Sequence, residues 1–138
     1  QSIATLWMIK NLSNKISLTR EDMLQSLFGS RTMSRIPHVD AFELYELLSE
    51  DKNLMVVDVR SPHEYQYDGH IAGSRLLPLS ALMRRVEELP KDKPLVFVCR
   101  SGSRSLVACE QLNRLGFNNV KNFRGGMIAW KRARLPTL

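Results

Sequence analysis

At 138 residues, with 43% hydrophobic and 25% charged residues, the chain has the make-up of one soluble globular domain plus a short appendage; two full domains do not fit. A domain of this size buries enough surface to fold without metal or disulfide staples, and two cysteines, Cys99 and Cys109, are too few for a disulfide scaffold. A reducing compartment with at least one working thiol is the default, which places the protein in the cytoplasm. The net charge is +6, and Lys121, Arg124, Lys131, Arg132 and Arg134 give the last eighteen residues +5 with no acid. Such a basic end reads as a solvated helix that would draw a small anionic substrate. No aromatic side chains alternate with these charges at base-stacking spacing, so no nucleic-acid partner is expected.

Residues 1–34 read as poorly patterned helix, over Ile3–Leu12 and again over Thr19–Phe28. Thr19 suits an N-cap, Gly29 a left-handed C-cap, and Gly29–Thr32 a linker. The apolar run from Ile3 to Ile9, broken by Thr5, is far shorter than a membrane span and lacks the basic start of a secretory signal. This segment reads as a helical extension or linker: an arm packing on the domain, a dimerisation element or the tail of an upstream domain, with Trp7 as an anchor for it or for a partner. No membrane partner is expected.

From Arg35 the chain alternates helix and strand signals. Phe42, Leu44, Leu47 and Leu48 give Val39–Leu48 a helical period. Leu54–Val57 is a short continuous apolar run, the mark of a strand buried on both faces. Ser61-Pro62-His63-Glu64 is a capping box with proline at the first helical position. Arg75–Leu77 suits a short strand and Ser80–Leu89 an amphipathic helix. After the turn at Pro90–Pro94, Leu95–Val98 is a second wholly apolar strand. A helix follows over Arg104–Leu115, then a strand over Val120–Phe123, Gly125-Gly126, and a last helix through Trp130. Buried strands alternating with helices define an α/β domain: a mostly parallel central sheet with helices on both faces.

Chemistry in such sheets collects at the carboxyl ends of strands. There stands Cys99-Arg100-Ser101-Gly102-Ser103-Arg104-Ser105, a cysteine capping a strand, then a loop of small residues, then a helix start. Free backbone N–H groups, the helix dipole, and the charges of Arg100 and Arg104 all favour thiolate over thiol. Gly102 permits positive φ at the apex, so the loop can curl its N–H groups inward around the thiolate, a persulfide or an anion. The bland alternative is a buried core cysteine, for which this polar surrounding is a poor sequence.

The loop resembles the active-site loop of the rhodanese family. Asp58-Val59-Arg60, Glu64-Tyr65, Gly69-His70-Ile71-Ala72-Gly73-Ser74 and Pro78-Leu79-Ser80 resemble that family's upstream signature in order and spacing. Leu115-Gly116-Phe117, Gly125-Gly126 and Trp130 resemble its C-terminal pattern. The similarity spans about residues 35–135. It implies a three-layer fold and a sulfurtransferase in which Cys99 takes sulfur from an anionic donor such as thiosulfate. A persulfide then passes it to a thiol, to cyanide or to a protein acceptor, without metal or cofactor. In this reading the N–H groups of Ser101, Gly102 and Ser103 support the persulfide, and Arg100 and Arg104 hold the donor.

Four residues separate Cys99 from Arg104, where phosphatases of this fold place five, so a phosphatase is the second choice. A non-catalytic binding module is the third. Asp58, Arg60 and Glu64 read as braces for the loop, with Asp58 or Glu64 meeting Arg104 or Arg60. His70 reads as part of a structural turn, with a general base as the sharper alternative. Cys109 reads as core, with a resolving thiol as the alternative.

Overall fold

The computed structural model describes residues 35–138, with Ser2, Ile3, Thr5, Thr19 and Arg20 before them. The chain divides into two units, Gln1–Arg35 and Ile36–Leu138, and the second carries everything that follows. The helices expected over Ile3–Leu12 and Thr19–Phe28, the Gly29 cap and linker, and Trp7 fall largely or wholly outside the described residues.

Five strands, β1 (His38–Val39), β2 (Met55–Asp58), β3 (Arg75–Leu76), β4 (Leu95–Val98) and β5 (Val120–Phe123), form one sheet in the order β1-β5-β4-β2-β3. Every pairing is parallel. The helices are α1 (Ala41–Glu50), α2 (Pro62–Tyr67), α3 (Leu79–Leu82), α4 (Ser103–Arg114) and α5 (Gly126–Arg132). Strand alternation splits the core in two. Val57, Phe97 and Val120 face one side, with Leu82, Ala108, Cys109 and Leu112. Val56, Val96, Val98 and Phe123 face the other, with Leu44, Met127 and Trp130. Both faces of the sheet are covered, which is why β4 reads as an unbroken apolar run and β2 as one up to Asp58.

Two elements differ from the sequence reading. The helix expected from Val39 starts at Ala41, because Val39 pairs with Phe123 in the sheet and Asp40 is the N-cap. Asp40 Oδ1 accepts from Glu43 N–H at 2.9 Å. The helix expected over Ser80–Leu89 is broken into α3 and a 3₁₀ turn at Val86–Glu88. Between them Arg85 N–H is shared by the carbonyls of Ala81 (3.1 Å) and Leu82 (3.2 Å), and the tighter winding lets both Leu82 and Leu89 bury. Among the described residues, no helix is long and apolar enough to cross a membrane.

Candidate active site

Cys99 follows directly on β4, the middle strand of the sheet. Leu95, Phe97 and Cys99 alternate onto the face that carries α4, so the sulfur meets the start of that helix. Sγ accepts from Gly102 N–H at 3.1 Å and from Ser105 N–H at 3.3 Å, and lies 3.3 Å from Ser105 Oγ. Gly102 makes this curl possible. Its φ is +102°, and a Cβ there would stand 3.1 Å from Gly125 N and 3.2 Å from Phe123 O. Burial disfavours the Cys99 thiolate, but hydrogen bonds from the Ser105 hydroxyl and from the N–H groups of Ser105, Gly102 and Ser101 outweigh it. The thiol is held below its ordinary range.

The loop is fastened from behind by α5. Met127 N–H donates to Cys99 O at 2.9 Å and Ile128 N–H to Arg100 O at 3.0 Å, so the open N–H groups of one helix hold the outer carbonyls of the loop. This approach is close enough to exclude any side chain at Gly126. A Cβ there would lie 2.4 Å from Cys99 O and 2.5 Å from Arg100 O.

The two flanking arginines are placed differently. Arg100 is exposed and lines a cleft of about 410 Å³ with Arg60, Asp68, Met127, Ile128 and Lys131. Arg104 donates from both Nη1 and Nη2 to Glu64, at 2.8 Å each, so its guanidinium closes on a carboxylate. That pairing holds Glu64 at a pKa of about 2, chiefly through the Arg104 hydrogen bonds, and raises Arg104. Glu64 also completes the expected capping box, taking Ser61 N–H at 3.3 Å while its own N–H donates to Ser61 Oγ at 3.2 Å.

Asp58, in register with Val98, makes a buried pair with Arg60: Nη2 donates to Oδ2 at 2.8 Å and Nε to Oδ1 at 3.0 Å. Arg60 Nη2 also donates to Gly69 O at 2.8 Å, fastening the turn that carries His70. The His70 ring stacks on Tyr65 with centroids 3.7 Å apart. Its Nδ1–H donates to Tyr65 O at 2.8 Å, since a carbonyl only accepts. The His70 backbone exchanges hydrogen bonds of 3.0 and 2.9 Å with Leu138. Ser101 and Ser103 are exposed, their hydroxyls 3.2 Å apart. Cys109 is buried in the core on α4, and burial pushes its thiol up to about 12.

Sequence reasoning passed over Asn122 and gave Ser105 no role. Asn122 is buried and touches the loop twice, Nδ2 donating to Gly102 O at 3.1 Å and Oδ1 accepting from Ser105 Oγ at 2.5 Å. The available signal was a polar residue two places after Val120, on the face where strand alternation calls for an apolar one.

The domain is thus a parallel α/β fold that cradles a buried cysteine among backbone N–H groups, at the carboxyl end of its middle strand. The sequence model of the rhodanese-like domain family matches residues 40–133. A sulfurtransferase of Allochromatium vinosum is 39% identical over 101 residues, 73% of this chain and 94% of that one. A thiosulfate sulfurtransferase of Pseudoalteromonas translucida is 33% identical over 70% of this chain and 90% of its own. The crystal structure of a rhodanese-related protein from Thermoplasma volcanium superposes with a TM-score of 0.68 at 33% identity, over 74% of this chain and 97% of that one. The chain belongs to the rhodanese-like domain family.

Proposed function

We propose that the domain over residues 35–138 is a sulfurtransferase that carries sulfane sulfur as a persulfide on Cys99. One observation carries the reading: the Cys99 sulfur receives N–H groups from Gly102 and Ser105 inside a loop whose geometry forbids a larger residue at Gly102. A cysteine serving only as core has no need of donors aimed at its sulfur. The thiolate attacks the outer sulfur of thiosulfate. The S–S bond of the donor breaks, its electron pair leaves with sulfite, and Cys99 keeps the outer sulfur as an anionic persulfide. A thiolate or cyanide then attacks that outer sulfur and releases the Cys99 thiolate.

The N–H groups of Ser101 and Gly102, with the helix start at Ser103, meet the negative charge throughout. Arg100 and Lys131, exposed around the cleft, draw the anionic donor. Arg104, closed on Glu64, contributes fixed positive charge and orients the first turn of α4. The buried position of Cys99 favours a narrow donor over a bulky phosphoester. Both cysteines are free, which suits the reducing cytoplasm.

Mass spectrometry of the intact protein after incubation with thiosulfate tests the reading. The wild type gains about 32 Da, one sulfur as expected of a cysteine persulfide, and loses it to cyanide or a thiol, while Cys99→Ser gains nothing. No adduct on a protein whose Cys99 still alkylates would overturn thiosulfate as donor. Turnover of a chromogenic phosphoester would favour a phosphatase.

A further inference from the structure

The Ser105 hydroxyl has one proton and two neighbours that can take it. Cys99 Sγ lies 3.3 Å from Oγ on one side, and Asn122 Oδ1 lies 2.5 Å away on the other. The orientation of Asn122 follows from what its partners can do. Gly102 O, 3.1 Å from Nδ2, only accepts, so the nitrogen must face it and the oxygen must face Ser105. His38 Nδ1 stands 3.3 Å from the same nitrogen and therefore accepts, which requires that ring nitrogen unprotonated. Burial and the charge of Arg124 both lower the His38 pKa, in agreement. Strand register builds this row. His38, Asn122 and Phe97 are in register across β1, β5 and β4, so all three lie on the face that carries Cys99 and α4.

With Asn122 Oδ1 an obligate acceptor, Ser105 donates to it whenever Cys99 carries no charge, and a neutral thiol then donates its own proton to Ser105 Oγ. When Cys99 ionises, Sγ needs donors and the same hydroxyl proton can turn to it. We propose that Asn122 is a positioning residue for Cys99: it holds the Ser105 proton while the sulfur is uncharged and yields it when the thiolate forms. The effect of Asn122 is to stabilise the uncharged inner sulfur, as thiol or in a persulfide, relative to the thiolate. A carrier needs this balance, because a sulfur bound only in its anionic form would not stay loaded. That last step rests on the persulfide reading, but the proton competition does not, and it is tested on the thiol alone.

Among the described residues, the charged or titratable groups acting on these side chains are His38 beside Asn122, Arg124 at the end of β5, facing His38, and Arg104 and Cys109 on α4, acting on Cys99. All stay in place in the variants proposed. The rate of Cys99 alkylation by iodoacetamide, followed on its own peptide by mass spectrometry, gives the midpoint of thiolate formation against pH. Asn122→Leu removes the competing acceptor and moves that midpoint down by about one pH unit, the size of one hydrogen bond to an ionised group. Ser105→Ala moves it up by about as much. In the Ser105→Ala background, Asn122→Leu moves it no further, although the loss of the bond to Gly102 is the same. Asn122→Asp keeps an acceptor and does not lower the midpoint. If near-UV circular dichroism shows that Asn122→Leu misfolds, Asn122→Val, smaller and a good strand former, takes its place. An unchanged midpoint in the single variant, or a shift that survives in the Ser105→Ala background, overturns the proposal. Either result is independent of whether thiosulfate loads the protein.

Discussion

Arg104 closes on Glu64 through two hydrogen bonds of 2.8 Å, and so ties the first turn of α4, which cradles Cys99, to the capping box that opens α2. The two residues are forty positions apart. The pair links the cysteine loop after β4 to the helix after β2, and two strands that neighbour each other in the sheet share one brace at their carboxyl ends.

The Glu64–Arg104 pair makes stability depend on pH. The folded-state pKa of Glu64, about 2, lies below its ordinary 4.5, so its contribution is complete above pH 4.5 and is lost as the pH falls toward 2. Glu64→Gln lowers stability at pH 7 by about 1 to 2 kcal/mol, solvent screening at the partly exposed Arg104 keeping it below the value of a buried pair. Urea unfolding of both proteins from pH 7 to pH 2 should show the difference shrinking toward zero at the acid end.

The Asp58–Arg60 pair is buried, with side-chain exposures of 1% and 2%. Arg60→Met leaves the Asp58 carboxylate without its partner and the Gly69 carbonyl without its donor. The expected cost is about 3 to 5 kcal/mol by chemical denaturation. The double variant Asp58→Leu/Arg60→Met recovers part of it, because no unpaired charge remains while the Gly69 carbonyl and the Arg60 N–H still lack their partners. A single variant that lost less than 1 kcal/mol would show that the pair does not hold this end of the sheet.

Gly126→Ala places a methyl group inside contact distance of the Cys99 and Arg100 carbonyls, at a backbone φ of +55°. The loop must move, and stability falls by about 1 to 3 kcal/mol. Cys99 alkylation near neutrality slows as its N–H donors shift. Gly73→Ala is the control: its φ is +79° but nothing lies within 4 Å of the new Cβ, so only backbone strain of about 1 kcal/mol is expected and Cys99 reactivity stays unchanged.

Local signals carried much of this molecule. The run Leu95–Val98 is apolar at every position because both faces of its strand are covered, and that alone marks it as central and places Cys99 at its carboxyl end. Ser61, Pro62 and Glu64 specify a helix start among four consecutive residues, and it forms as written. Gly102 announces a positive φ that no larger residue adopts easily. Such features depend on neighbours within a few residues, where backbone sterics and short-range hydrogen bonds decide.

Tertiary structure decided the remainder. β1 is only two residues long and exists because Val39 finds Phe123, more than eighty positions away. The choice of Glu64 for Arg104, left open by the sequence, follows from β2 and β4 being neighbours, and it leaves Asp58 to Arg60 two places on. Asn122 is one polar residue in a strand until parallel register sets it between His38 and Phe97, on the side where Ser105 and Cys99 lie. The amino-acid sequence by itself determined where Cys99 stands and what kind of backbone surrounds it. Which side chains surround it was decided only when the sheet closed, because that depends on strand register, a long-range pairing that no local stretch of chain encodes.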